Sequence, residues 1–243
     1  MLLQVENLNK SFGGVVAVHN CSFHIEAGSI TALIGPNGAG KTTAFNLISG
    51  VLKADSGRVI FDGKEIQTLP PHRITRLGIN RTFQISRNLQ DMTVLENMIV
   101  ASPVHGWGSL FKRAIQPHER AKAMELLDFV GLTRLADTQT RSLSYGQRKL
   151  LDFASVLMAD PKLIMLDEPA GGVNPALLED IMRYIKELNA NGITFLIVEH
   201  NMDLVMNISD HVVVMAYGER LAEGSPDEVQ NNAEVLEAYL GVV

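Results

Sequence analysis

The segment 35–42 constrains this chain more than any other, because its sequence, GPNGAGKT, matches the pattern G-x-x-x-x-G-K-[ST] at every fixed position. A short apolar run, 31–34, precedes it, and a helix-like run, 43–48, follows it. A strand, a glycine-rich turn and a helix in this order present free backbone N–H groups to a phosphate. A chance glycine-rich turn before a lysine is the alternative. The context favours a P-loop, in which Lys41 reaches the nucleotide phosphates and the Thr42 hydroxyl ligates Mg²⁺.

Composition narrows the class of protein. The 243 residues, of which 46% are hydrophobic and 20% charged, suffice for one large domain or two lobes. The formal net charge of −6 does not favour nucleic acid as a partner. Cys21 is the only cysteine, which excludes an intramolecular disulfide and indicates a reducing compartment. We see no secretory signal and no apolar run near the roughly 20 residues that span a bilayer, so a membrane role would require partner proteins.

The amino-terminal part has the pattern of short strands. The Asp62-Gly63 pair, which follows an apolar run, indicates a hairpin turn. The expected strands cover residues 2–8, 15–25, 29–35 and 57–61.

The middle of the chain has helical spacing. Thr93 and Glu96 form a capping-box pair that predicts a helix start. Helices are also expected over 117–130 and 143–157. The apolar residues expected to share one face of the first of these are Ala121, Met124, Leu127 and Val130.

Two apolar runs in the carboxy-terminal part, 163–166 and 193–198, lack the alternation of a half-exposed strand. Strands buried on both faces of a parallel sheet have this pattern, and the helix expected over 175–189 completes a βαβ unit. An α/β fold follows. The tail continues with an expected helix over 201–207 and strands over 211–216 and 219–223.

Paired acids, Asp167 and Glu168, follow the first of these runs. At the carboxyl end of a buried strand, Asp167 would hold Mg²⁺ through its water shell and Glu168 would polarise a water molecule. Solvated acids at a strand end have the same local pattern, and only the P-loop in the same chain favours the first interpretation. Upstream, Ser144 in the sequence Leu-Ser-Tyr-Gly-Gln is a good helix N-cap. Taken alone, that pattern predicts no more than a capped helix.

Together, these three motifs resemble, in order and spacing, the Walker A, Walker B and signature motifs of ATP-binding cassette (ABC) ATPases. The resemblance covers nearly the whole chain. It implies a P-loop NTPase fold of the ABC ATPase type, with a RecA-like core, an antiparallel β subdomain and an inserted α-helical subdomain. Residues 1–243 would form one domain, in which 1–86 and 156–243 are the core with the β subdomain and 87–155 the helical subdomain.

The resemblance also implies roles for single residues, with ATP and Mg²⁺ as cofactors. Glu168, His200 and Gln84 would be catalytic, and Thr42, Gln84 and Asp167 would hold the metal. Phe12 would stack on adenine. Without the family, His200 is a strand-end histidine, Phe12 a core aromatic and Gln84 a surface amide. The residues expected to contact nucleotide are Phe12, Asn37, Gly38, Ala39, Gly40, Lys41, Thr42, Thr43, Ser144 and Gly146.

Two positions depart from the family pattern. Tyr145 replaces the glycine of the common signature Leu-Ser-Gly-Gly-Gln, and Asn174 replaces an aspartate in the loop after the acids. We expect these two changes to alter contacts between the two ATP sites. We do not expect them to prevent ATP hydrolysis, because Ser144, Gly146 and Glu168 are retained.

A closer resemblance is to the ATPases of branched-chain amino acid (LIV-type, LivG-like) importers. It rests on the Leu-Ser-Tyr-Gly-Gln variant, the irregular stretch around Trp107 and the runs 78–84 (GINRTFQ), 167–175 (DEPAGGVNP), 199–203 (EHNMD) and 237–241 (EAYLG). The alternatives are an ATPase of a urea or amide importer or of a lipopolysaccharide exporter. A soluble ABC ATPase of repair or translation is a different class, and neither a long coiled coil nor a basic linker is present to favour it.

Each motif occurs once, so in this family an ATP site would need a second ATPase subunit, identical or homologous. The other implied partners are transmembrane permease subunits and, indirectly, a periplasmic or extracellular solute-binding protein. The chain would lie at the cytoplasmic face of the inner membrane as a peripheral subunit. Because Trp107, Phe111 and basic residues follow Gln84, we expect the permease to dock on 84–91 and 102–113; an amphipathic element packed on its own lobe is the alternative.

Overall fold

The computed structural model describes residues 1–82, 89–102 and 116–240, without the side chain of residue 240. Gln84 and most of the segments expected to dock on a permease lie outside these residues. The strands are β1 Leu3–Phe12, β2 Val15–Ile25, β3 Ile30–Ile34, β4 Ser56–Phe61, β5 Lys64–Glu65, β6 Ile79–Arg81, β7 Leu163–Asp167, β8 Thr194–Val198, β9 His211–Ala216 and β10 Glu219–Gly224. The α-helices are α1 Lys41–Ile48, α2 Pro71–Leu77, α3 Val94–Val100, α4 Pro117–Phe129, α5 Tyr145–Leu157, α6 Pro175–Ala190, α7 Met202–Ile208, α8 Pro226–Gln230 and α9 Ala233–Leu240.

A six-stranded sheet in the order β10-β9-β3-β8-β7-β6 forms the core. Its strands pair in parallel except β9 with β10, which are antiparallel. Every residue of β3, β7 and β8 is buried. The prediction of parallel strands covered on both faces is confirmed. Because parallel strands share a direction, the segments after β3, β7 and β8 emerge at one edge of the sheet.

A second sheet, in the order β2-β1-β4-β5, is antiparallel. The hairpin expected at Asp62-Gly63 is confirmed by the pairing of Phe61 with Lys64. Phe61 and Val59 of this sheet share an apolar cluster with Phe45 of α1 and Leu163 of β7. The antiparallel sheet therefore packs beside the glycine-rich loop and its helix.

The helical part combines α3, α4 and α5. Thr93 caps α3 with the expected capping box, in which the Glu96 carboxylate accepts from the Thr93 backbone N–H at 2.7 Å. Leu127 and Val130 are buried as expected, but Ala121 is exposed and Ala123 is buried instead. The prediction for Ala121 is wrong because the buried stripe of α4 runs through Glu119, Ala123 and Leu127, and Ala121 lies on the opposite side of the helix.

The short elements α2 and β6 were not predicted, nor were the 3-10 helices Thr133–Leu135 and Thr140–Ser142. The boundaries expected at 86/87 and 155/156 stay a prediction. Within residues 1–82, 89–102 and 116–240, no helix is both long and apolar enough to span a bilayer.

Candidate nucleotide site

The glycine-rich loop joins β3 to α1, as its sequence predicts. Gly40 is the N-cap of α1 and has a left-handed backbone with φ 95°. A Cβ at Gly40 would collide with the carbonyl oxygen of Ala17 on β2, and a Cβ at Gly35 would collide with that of Met215 on β9. Gly38 differs, because it is exposed with φ +83° and no heavy atom lies within 4 Å of the position of a Cβ. Two glycines thus let neighbouring backbone approach, while the third faces open space where a phosphate can enter.

Lys41 points back over this loop. Its ammonium donates to the carbonyl oxygens of Gly35 at 2.7 Å and Pro36 at 3.0 Å. Burial lowers the pKa of Lys41, and the negative charge of Glu168 opposes that shift. The loop and the acidic strand end are therefore within electrostatic reach of each other. Among the other candidate residues, Asn37 and Thr42 are exposed, Thr43 is half-buried and Ala39 is buried.

Asp167 ends β7 as a buried carboxyl group, at 5% exposure. Burial raises its pKa, and Arg81 opposes the shift through its charge and a hydrogen bond. The Arg81 guanidinium donates to Asp167 Oδ2 at 3.0 Å and to Ser49 Oγ at 3.0 Å, and it lies 4.6 Å from the centre of the Phe45 ring. Arg81 of β6 thereby ties the end of β7 to α1.

Glu168 follows with a left-handed backbone, φ +50°. Its backbone N–H donates to Val198 O at 2.9 Å, and its carbonyl oxygen accepts from the Gly171 N–H at 3.0 Å. A non-glycine residue in this conformation is strained unless its surroundings hold it, and such strain is common at functional sites. His200, which follows β8, has its Nδ1 atom 3.9 Å from Glu168 Oε1. The structure thus brings together two predicted residues from different strand ends.

Glu199 was missed as a candidate. Its fully buried carboxylate accepts hydrogen bonds from the backbone N–H groups of Ala170 at 2.7 Å, His200 at 2.9 Å and Asn201 at 3.0 Å. The only signal was an acid directly after a buried strand. A sequence cannot show that this acid turns inward, where it joins the loop after β7 to the loop after β8.

Ser144 and Gly146 lie at the start of α5. Ser144 caps the helix in a capping box with Gln147, which confirms the N-cap prediction. The Tyr145 hydroxyl donates to the Gly171 carbonyl oxygen at 3.0 Å. Asn174 caps α6 by accepting from the Leu177 N–H at 2.9 Å. Both departures from the family pattern therefore have defined structural partners.

Phe12 is exposed, at 48%, at the end of β1, where it pairs with Val15. The Lys10 ammonium lies 5.5 Å from the centre of its ring. Because the Ala17 carbonyl of the same hairpin abuts Gly40, the ring stands on a hairpin that borders the loop. An exposed aromatic there is not a core residue and is available to stack on a planar ligand.

Three features together define a P-loop ATPase. They are a core sheet in which β3 lies between β9 and β8, a glycine-rich loop after β3, and acids at the same edge of the sheet. The chain belongs to the ABC transporter family, whose model, described as ABC transporter, matches residues 18–171. A second model, described as branched-chain amino acid ATP-binding cassette transporter, matches residues 219–243. The chain is thus a nucleotide-binding ATPase of a transporter.

Similar proteins match this chain over almost its full length. The probable branched-chain amino acid transport ATP-binding protein LivG of Archaeoglobus fulgidus is 46% identical and covers 99% of this chain and 95% of its own. A crystal structure of the ADP conformation of an ATP-binding cassette of an ABC transporter has TM-score 0.88 and 41% identity, covering 99% of this chain and 98% of that one. A dimeric structure of an ATP-binding cassette in a post-hydrolysis state, bound to ADP and Pi, has TM-score 0.80 and 26% identity. The match covers 93% of this chain and 99% of that one.

Proposed function

We propose that the chain is the ATP-hydrolysing subunit of an importer for branched-chain or other hydrophobic amino acids. The observation that carries the enzymatic part is that Lys41, Asp167, Glu168 and His200 meet at one edge of the core sheet. The match of residues 219–243 and the name of the Archaeoglobus relative support the cargo class. They favour it over urea or amide import, lipopolysaccharide export and repair or translation.

Phosphate binding falls to the loop and the first turn of α1. The backbone N–H groups of 37–43 and the Lys41 ammonium would gather the β- and γ-phosphates, as in other P-loop enzymes. Open space beside Gly38 leaves room for them. The exposed ring of Phe12 would stack on adenine.

The residues present fit a magnesium ion. Thr42 and the buried Asp167 offer oxygen atoms, and Gln84, outside the described residues, is the third proposed ligand. In P-loop enzymes such an ion is held by few side chains and by substrate phosphates. Bound there, Mg²⁺ would neutralise phosphate charge.

Glu168 would accept the proton of the attacking water molecule, because its carboxylate lies within electrostatic reach of Lys41 and 3.9 Å from His200. His200 would contact the γ-phosphate and hold it in line with that water. The backbone strain at Glu168 supports this assignment, since a strained conformation is kept where function requires the side chain in one place.

Ser144 and Gly146 would contact the nucleotide bound by a second cassette, so each site needs two subunits. The dimeric cassette structure among the neighbours supports such a pair. Hydrolysis would remove the γ-phosphate that both subunits bind and thereby release them. Permease subunits would receive this motion at the cytoplasmic face of the membrane, and a solute-binding protein would deliver the cargo outside.

Two substitutions test the enzymatic part. Glu168→Gln should abolish turnover and retain ATP binding, because only the water-activating carboxylate is lost; Lys41→Ala should weaken binding itself. Turnover is measured by phosphate release and binding with mant-ATP. Hydrolysis by Glu168→Gln at near the wild-type rate would overturn the assignment of the base.

Uptake tests the cargo. A strain lacking this chain should lose uptake of labelled leucine, isoleucine and valine, regain it with the wild-type chain and fail to regain it with Glu168→Gln. Loss of urea uptake with normal leucine uptake would contradict the amino-acid assignment. Unchanged uptake of all of them would contradict import as the function.

A further inference from the structure

Tyr145 joins the start of α5 to the loop that follows β7. Its hydroxyl donates to the Gly171 carbonyl oxygen at 3.0 Å. Its ring covers Gly172, where a Cβ would lie 3.3 Å from the hydroxyl oxygen and 3.4 Å from ring atom Cε1. Gly172 has φ +70°, a backbone conformation that glycine adopts more readily than other residues. This face of the loop therefore carries no side chain, and another residue at position 172 would be strained. The glycine of the common signature pattern could make neither contact.

The same loop begins at Glu168. The Gly171 N–H donates to the Glu168 carbonyl oxygen at 3.0 Å, closing a four-residue turn. Within it, the Ala170 N–H is held by the buried Glu199 carboxylate at 2.7 Å. The turn is therefore held from the core by Glu199 and from the helical part by Tyr145. A shift of α5 would act on the backbone that aims Glu168.

We propose that Tyr145 is a positioning residue that couples the start of α5 to the Glu168 turn of the same chain. The proposal rests on the proposed function, in which Glu168 is the base and Ser144 and Gly146 contact nucleotide on a second cassette. Nucleotide held by α5 in one site then orients Glu168 in the other. The two ATP sites of the pair are thereby coupled through a hydrogen bond within this chain.

Tyr145→Phe tests this, because it removes the hydroxyl and keeps the ring. Tyr145 is 46% exposed, so the substitution leaves no buried cavity. In the transporter complex isolated through a tag on this chain, kcat for ATP hydrolysis should fall about 2- to 10-fold, the effect of one hydrogen bond. KM should change less, and the Hill coefficient for ATP should move toward 1. Affinity of the isolated chain for mant-ATP should stay at the wild-type value.

Thr133→Val is the matched control. It removes another exposed hydroxyl hydrogen bond of 3.0 Å in the helical part, from Thr133 Oγ1 to Asp128. It should leave kcat and the Hill coefficient unchanged.

Wild-type kcat and Hill coefficient in Tyr145→Phe would overturn the proposal. So would a parallel loss of mant-ATP affinity or of the unfolding midpoint, because that indicates a structural role only. Glu168→Gln, assayed alongside, separates a failure of the coupling proposal from a failure of the proposed function. If Glu168→Gln is inactive while Tyr145→Phe has wild-type activity, only the coupling proposal fails. If it hydrolyses ATP, the proposed function fails at its base.

Discussion

The Glu199 carboxylate accepts a hydrogen bond from the backbone N–H of Ala170 at 2.7 Å, although the two residues follow different strands, β8 and β7. Its other oxygen accepts from the N–H groups of His200 and Asn201. Because the carboxylate is fully buried, water cannot replace these bonds if they are lost. The loop that carries the proposed base and the loop that carries the proposed phosphate sensor are therefore joined through one side chain.

Glu199→Gln should destabilise the protein and slow hydrolysis. The glutamine side chain has nearly the same volume but only one acceptor oxygen. Its NH₂ group must therefore face either the Ala170 N–H or the N–H groups of His200 and Asn201, and those donors then lose their acceptor. We expect the free energy of unfolding to fall by about 1–3 kcal/mol, measured by guanidinium denaturation, and kcat to fall in a phosphate-release assay. Glu187→Gln, at an exposed site on α6, is the control and should change stability by less than about 0.5 kcal/mol. Equal stability of both variants would contradict the role of Glu199.

Arg81→Met should be among the more damaging substitutions in the core. It leaves the carboxylate of Asp167, at 5% exposure, without the cation that faces it at 3.0 Å. Removing one member of a buried ion pair costs about 3–5 kcal/mol, because the remaining charge stays desolvated. Equilibrium unfolding of Arg81→Met, Asp167→Asn and the double variant measures this. The double variant should be more stable than the sum of the single effects predicts; strict additivity would show that the pair does not interact.

Asn174→Ala should lower stability by about 1 kcal/mol, the usual cost of losing an N-cap. Asn174 accepts from the Leu177 N–H at 2.9 Å at the start of α6. Asn174→Asp keeps that acceptor and should retain wild-type stability within about 0.5 kcal/mol. Thermal unfolding compares the two. If Asn174→Asp lowered stability as much as Asn174→Ala, the hydrogen bond to the Leu177 N–H would not be the source of the stabilisation by Asn174.

Cys21 should be unreactive in the native protein. Burial raises the pKa of its thiol to about 12, with Arg220 opposing and Glu219 adding to the shift, and the side chain is fully buried. Because the thiolate is the reactive form, N-ethylmaleimide at neutral pH should label the chain only after unfolding in guanidinium chloride. Mass spectrometry counts the adducts. Rapid labelling of folded protein would show that β2 opens more readily than its burial indicates.

Local patterns predicted most of the elements. The bounds expected for 15–25 and 211–216 agree with β2 and β9, because strand-forming residues between turn residues are recognised without any other part of the chain. The N-caps Thr93 and Ser144 were also predicted, since a capping box involves residues only three apart. By contrast, β6 is three residues long and is a strand only because it pairs with β7.

Within the site, the motif residues were predictable, but the residues that hold them were not. Arg81 meets Asp167 across 86 positions and Glu199 meets Ala170 across 29, and no periodicity relates such pairs. The Tyr145 hydroxyl likewise reaches Gly171 across 26 positions. The sequence marked Tyr145 as a departure from the family pattern and placed Arg81 and Glu199 in family-like runs, but it indicated no contact for any of them.

Local sequence was enough to indicate the proposed chemistry, because a glycine-rich loop, paired acids and a histidine after buried strands each need a specific residue type in a local context. How those groups are held depends on contacts that form only on folding. Parallel strands bring their ends together, and only then can Glu199, Arg81 and Tyr145 reach backbone or carboxylate groups that are distant along the chain. Burial removes competing water from the first two of these contacts, and that is why they depend on the folded core.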